Sequence, residues 1–212
     1  MTNFWEYFNT VAAPQLSFRK NTFKKMFEYL DQYPEPVVIV ETGCTRKPGN
    51  WAGDGQSTVL FDQYVLSRKD GSQVHSVDID PEAVRICKTL VSDNVSVNVG
   101  DSVAYLHKFA RSNSHVHLFY LDSFDVDWNY WFPSAAHHLK ELVAIQPILK
   151  SDTLVVVDDC MLSGNLLPTE PANYQVIGTP QVGGKGRLVA EYANQVGAKP
   201  MFLEYQVGWT GF

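Results

Sequence analysis

VVIVETGCTRKPGNWAGDGQST, residues 37–58, is the stretch on which the fold turns. Four β-branched residues, Val37 to Val40, make a short apolar run of the kind that a strand buried on both faces requires, and it stops abruptly at Glu41. Gly43 follows, then a polar excursion, and Gly53, Gly55, Ser57 and Thr58 open a helical pattern. A strand, a glycine-bearing turn and a helix start form a cradle in which a ligand can approach bare backbone N–H groups. Glu41 narrows the choice of ligand, because a carboxylate at this point repels a pyrophosphate and suits a cationic or hydroxyl-rich group. The dinucleotide pattern GxGxxG is out of register here. The phosphate-loop pattern also fails: its near miss at 178–183 has Gly184 where lysine is required.

Working outward, the same strand-then-helix unit repeats. Residues 57–66 read as a helix, and Asp70 with Gly71 turns the chain into a strand at 74–78 that again ends on an acid. Asp80, Pro81 and Glu82 are a strong helix start: a capping carboxylate, proline in the first turn and a second acid at the positive end of the dipole. A strand at 95–99 runs into Gly100, Asp101 and Ser102 and a helix at 103–110. Strands at 116–121 and 154–157 each lead into carboxylates, with a helix at 135–146 between them. This alternation predicts a doubly wound α/β sheet with ligands at the carboxyl ends of its parallel strands. The tail departs from the rhythm: turn formers and GGKG over 173–186, a helix at 187–195 and a last strand at 201–207. Upstream, Phe4, Trp5, Phe8, Phe23, Met26, Phe27 and Leu30 recur at helical spacing, so residues 1–36 read as a helical cover and 37–212 as the ligand-binding domain of a single-domain chain.

The totals agree with that reading. A chain of 212 residues can bury a substantial core. A formal charge of −6 and the lack of a basic run argue against nucleic acid as a partner. No apolar stretch approaches the roughly 20 residues of a membrane span, and a cytoplasmic location is expected. Cys44, Cys87 and Cys160 are odd in number and scattered, which fits reduced thiols.

Acids stand at the ends of five strands: Glu41, Asp78, Asp101, Asp122, and Asp158 with Asp159. Collected on one sheet edge they form a rim suited to a cation, hydroxyls or exocyclic amines. The order ETGC…GDGQST, HSVDIDPEAV, VGDS and LDSFD resembles the class I S-adenosylmethionine-dependent methyltransferases over roughly residues 37–160. The resemblance implies a Rossmann-like fold with a mostly parallel seven-stranded sheet. It also implies a methionine-end loop of Glu41, Gly43, Cys44, Gly55, Ser57 and Thr58. Asp78 would meet the ribose, Asp101 and Ser102 the adenine, and Asp122 would close the cofactor site. Residues 45–54 lengthen the usual loop and bring Arg46, Lys47 and Trp51 close to it.

Asp122 with VVVDDC, which carries Asp158 and Asp159, further resembles the magnesium-dependent O-methyltransferases of the catechol and macrolide-sugar types. That resemblance implies one Mg²⁺ on the three carboxylates, acidifying an acceptor hydroxyl. Those enzymes carry lysine or histidine three residues after the first metal aspartate, where this chain has Asp125. Asp125 and His137 are therefore the candidate bases, with His138 beside them. The expected activity is O-methylation of a small hydroxylated molecule, a sugar or a phenol. Metal-free methylation of nitrogen or a carboxylate, and a non-catalytic donor-binding partner or sensor, are the alternatives. Phe124, Trp128, Tyr130, Trp131 and Phe132 read equally as an acceptor pocket, as core or as the contact of a homo-oligomer.

Overall fold

The computed structural model describes residues 3–170 and 173–212, with side chains described outside 163–180. Its centre is a seven-stranded sheet built from β1 (Val38–Thr42), β2 (Gln73–Asp78), β3 (Val95–Val99), β4 (Leu118–Leu121), β5 (Leu154–Val157), β8 (Lys199–Leu203) and β9 (Val207–Thr210). The spatial order is β3-β2-β1-β4-β5-β9-β8. The first five strands are parallel, β9 lies antiparallel against β5, and β8 lies antiparallel against β9. The order reverses between β1 and β4, which is where an open parallel sheet splays its loops and leaves a crevice.

The central strands are apolar on both faces, as parallel strands covered by helices must be. Their period of two divides the core cleanly. Ile39, Leu118, Tyr120, Leu154 and Val156 face one cluster, which also holds Phe4, Phe8, Phe23, Phe27 and Phe61 from the N-terminal helices and α4. Val40, Phe119, Leu121, Val155 and Val157 face the other, with Leu106, Leu142, Ile145 and Val189 from α6, α7 and α8. The helices named are α1 (Phe4–Tyr7), α2 (Lys20–Leu30), α3 (Trp51–Asp54), α4 (Ser57–Arg68), α5 (Pro81–Cys87), α6 (Ser102–Ser112), α7 (Phe132–Ile145) and α8 (Arg187–Val196). The large apolar groups at helical spacing near the N-terminus thus pack on the sheet, and Phe8, Phe23 and Phe27 are completely enclosed.

Local signals account for the helix starts. Asp80 caps α5 by accepting from Glu82 N at 2.9 Å, and Pro81 fills the first turn. Asp101 caps α6 in the same way through Ala104 N. Two expectations need correction. The single last strand at 201–207 is two, because the chain breaks at 204–206 and folds back as the β8–β9 hairpin. Residues 173–186 are not all turn: β6 (Leu162–Glu170) and β7 (Asn173–Val182) pair antiparallel as a separate ribbon. Among the described residues no helix is long and apolar enough to cross a membrane.

Candidate active site

The cradle after β1 takes the shape its glycines allow. Gly43 has φ 80°, and a Cβ there would stand 2.5 Å from the carbonyl oxygen of Asp122, so the turn packs backbone on backbone against the end of β4. Gly43 N donates to Val77 O at 2.8 Å, and Cys44 N to Asp78 Oδ2 at 3.0 Å, tying the turn to the end of β2. Glu41 lies beneath the turn, fully buried. Its Oε2 accepts from Thr58 Oγ1 and Ser76 Oγ at 2.6 Å each, while Oε1 has no partner among the described residues. Burial pushes the Glu41 carboxyl up to about 7 against the pull of those hydroxyls.

Two adjoining clefts open above. Gly43, Cys44, Ser57, Asp78, Asp122, Asp125 and Asp159 help to line the first, with Arg19 and Arg46. Asp78, Asp101, Ser102, Phe124 and His137 help to line the second, and Asp78 and Ser123 are common to both. The structure therefore brings together most of the residues marked in the sequence. Glu41, Gly55 and Thr58 stand behind the walls. Thr58 Oγ1 bridges Glu41 to Thr45 N, and Gly55, at φ 70°, lets Arg19 pass close by.

Neither candidate base is placed as expected. Asp125 is gripped by both terminal nitrogens of Arg46, at 2.9 and 3.1 Å, which holds its carboxyl below the usual range and makes it a poor proton acceptor. His137 lines the second cleft, not the first, with Nε2 2.8 Å from Ser102 Oγ. His138 is fully buried, and burial pushes it down to about 4, so it stays neutral.

The strand-end carboxylates do converge, but around cations of the chain itself. Arg19 Nε donates to Asp158 Oδ2 at 2.7 Å and its Nη2 to Asp159 Oδ1 at 2.9 Å. Lys185 Nζ donates to Asp122 Oδ1 and lies 2.9 Å from Asp159 Oδ2. Tyr120 Oη and Asp159 N also donate to Asp158, and Tyr205 Oη donates to Asp159 Oδ1 at 2.6 Å. Burial works against the Lys185 ammonium, but Asp122, Asp159 and Asp158 outweigh it and hold the lysine well above its ordinary value. Burial likewise opposes the Asp159 charge, and Lys185, Tyr205 and Arg19 reverse the balance and lower it. Asp122 goes the other way: burial and the Asp158 and Asp159 charges raise it despite Lys185.

The Mg²⁺ expected on Asp122, Asp158 and Asp159 does not fit this donor set. Both Asp159 oxygens, Asp158 Oδ2 and Asp122 Oδ1 are already engaged by an ammonium or a guanidinium, and Asp158 is fully enclosed. Among the described residues no three His, Cys, Asp or Glu side chains are arranged to hold a metal ion. Arg19, Lys185, Tyr120 and Tyr205 escaped the sequence reading, although GGKG had stood out as a failed phosphate loop. The S-adenosylmethionine expectation fares differently. Asp78, Asp101, Ser57 and Ser102 line the two clefts with oxygens that suit a ligand carrying ammonium, hydroxyl and amine groups, and behind the wall Glu41 Oε1 has no partner among the described residues.

Comparison with known proteins points the same way. A family model described as a methyltransferase domain matches residues 52–160. The TDP-rhamnose 3'-O-methyltransferase CalS11 of calicheamicin biosynthesis, in its apo form, superposes with a TM-score of 0.51 at 15% identity, over 93% of this chain and 78% of that one. A second CalS11 structure gives 0.51 at 13% identity, over 98% and 89%. At such identities the likeness speaks for the fold. No curated protein sequence matches this one. Sheet order, glycine cradle and family model agree, and the chain belongs to the methyltransferase-domain family, as a class I S-adenosylmethionine-dependent methyltransferase.

Proposed function

We propose that this methyltransferase transfers its methyl group to a hydroxyl of a small molecule. The observation that carries the reading is the junction of two unlike spaces at Asp159 and Tyr205. On one side is the polar cleft. On the other is an open cavity of about 550 Å³ lined by Phe18, Trp128, Met161, Leu162 and Tyr205. An apolar cavity of that size beside a few convergent polar groups suits a small acceptor with an apolar body. Mg²⁺ has no part in this reading, because Arg19 and Lys185 already engage the carboxylates that would bind it.

When bound, the donor supplies a sulfonium whose methyl carbon is open to in-line attack. In this reading Asp78 accepts from the ribose hydroxyls, Asp101 and Ser102 meet the adenine, and Gly43, Cys44 and Ser57 hold the methionine end. Phe18 and Tyr205, whose rings stack at 5.8 Å, present a flat wall to the acceptor. Asp122 is the base. It lines the cleft, its side chain is 19% exposed, and only one of its oxygens is engaged by Lys185. Asp122 would take the proton of the acceptor hydroxyl as that oxygen gains the methyl group, the donor leaving as its neutral thioether.

The test is incubation of the purified protein with S-adenosylmethionine and a panel of phenols and hydroxylated sugars, with the product identified by mass spectrometry and NMR. An O-methyl product is expected, and Asp122→Asn should lower kcat by about 100-fold or more with donor binding retained. Methyl found only on nitrogen or on a carboxylate would sink the hydroxyl assignment.

A further inference from the structure

Residues 183–186, GGKG, pack more tightly than any ordinary turn needs. A Cβ at Gly183 would stand 2.9 Å from Met161 O, one at Gly184 2.2 Å from Asp159 O, and one at Gly186 2.5 Å from Cys160 Sγ. Gly184 also has φ 62°, in the left-handed region. All three glycines therefore press this segment onto residues 159–161, directly after β5. Backbone bonds fasten it there: Gly183 N donates to Met161 O at 2.6 Å and Lys185 N to Asp159 O at 3.2 Å. The side chain delivered by this arrangement is Lys185, which is 1% exposed and ends between Asp122 and Asp159.

A divalent ion shared by those two carboxylates would need oxygens at about 2.0–2.1 Å for Mg²⁺. Its centre would overlap the ammonium nitrogen, which lies 2.9 Å from Asp159 Oδ2 and bonds Asp122 Oδ1. Arg19 completes the arrangement by bonding Asp158 and Asp159 from the opposite side of the chain's sequence. Three carboxylates thus meet two fixed cations, and the residual negative charge falls where a sulfonium and an acceptor hydroxyl would approach.

We propose that Lys185, seated by the GGKG turn between Asp122 and Asp159, is a built-in cation standing in the place of a divalent metal, so that methyl transfer by this chain is metal-independent. The inference rests on the reading of the cleft as the methyl-transfer site. Lys185 is a positioning residue: it orients Asp122 through Oδ1 and leaves the other oxygen to the acceptor.

The wild-type protein, freed of metal, is titrated with Mn²⁺ by electron paramagnetic resonance and with Mg²⁺ by calorimetry. No stoichiometric binding is expected at millimolar concentrations, and turnover is expected to be unchanged by EDTA. One tightly held Mn²⁺ per chain, or loss of turnover in EDTA, overturns the proposal. Lys185→Ala removes the ammonium and leaves room for an ion with its waters. This variant is expected to bind one Mn²⁺ at least tenfold more tightly than wild type. A Lys185→Ala protein that still binds S-adenosylmethionine yet gains no Mn²⁺ affinity also overturns it. Should the variant fail to fold, the wild-type titration decides alone. Donor binding is measured separately by calorimetry, so failure of the methyltransfer reading, seen as absent donor affinity or a different product, is distinct from failure of the lysine assignment.

Discussion

Arg19 Nε donates to Asp158 Oδ2 at 2.7 Å, although the two residues stand 139 positions apart in the chain. Both are buried, and the contact joins the N-terminal helical segment to the tip of β5. Arg19→Met would leave the Asp158 carboxylate enclosed without its countercharge, at a cost of about 3–5 kcal/mol. Urea unfolding of the two proteins measures it. A change within the error of the method would mean that Tyr120 Oη and Asp159 N suffice to hold the carboxylate.

Gly43→Ala should weaken both the fold and the cleft. The new methyl group would meet the Asp122 carbonyl at 2.5 Å, and φ 80° is strained for any L side chain. About 1–3 kcal/mol of backbone strain is expected, together with poorer donor affinity by calorimetry, because the turn can relieve the clash only by moving off the β4 tip. Unchanged melting and unchanged affinity would show that the approach of these two strands is loose.

Arg46 reaches over the first cleft to Asp125, and it also lies 3.5 Å from Asp54. Both ends of the Arg46–Asp125 pair are well exposed, so Arg46→Ala should change stability by less than about 1 kcal/mol. The same variant removes a bar across the mouth of the first cleft, the proposed donor site. Stopped-flow measurement is expected to show faster dissociation of S-adenosylmethionine with little change in melting temperature. Identical dissociation rates would mean that the bridge is only a surface contact.

Two buried groups pull stability in opposite directions with pH. The Glu41 carboxyl, raised from 4.5 to about 7 by burial, contributes stability that is fully present below pH 4.5 and lost as pH rises through 7. His138, pushed from 6.5 down to about 4 by burial, does the reverse, its contribution being complete above pH 6.5 and lost as pH falls through 4. Between pH 4.5 and 6.5 these slopes offset each other. In Glu41→Gln only the histidine slope remains, so its melting temperature should climb across that window relative to wild type, by an amount equivalent to about 3 kcal/mol at most. Parallel curves for the two proteins would show that Glu41 is already ionised in the fold across that window.

Much of the fold was legible because buried parallel strands announce themselves. Val37 to Val40 and Leu154 to Val157 have no other use for such apolar runs, and each is followed at once by an acid, Glu41 within β1 and Asp158 just past β5, both of them buried. Helix starts such as Asp80-Pro81 carry their own capping chemistry. The cations of the site were not legible, because charge compensation is a property of space and not of neighbouring positions. Arg19 is one polar residue in an aromatic helical region, and Lys185 follows directly on the near miss to a phosphate loop. The break at 204–206 was hidden for a similar reason: Tyr205 and Gln206 suit a strand locally, yet they turn inward to bond Asp159 and Tyr120.

The placement of β9 between β5 and β8 has a consequence for how the enzyme matures. Val155 pairs with Trp209, so β5 waits for a distant part of the chain before its open side is sealed, a long-range closure of the slow kind. Lys185 and Tyr205 arrive with that same late portion. A nascent chain folded only through β5 would thus display repelling acids and no working site, and completion of the sheet and onset of activity would be a single event.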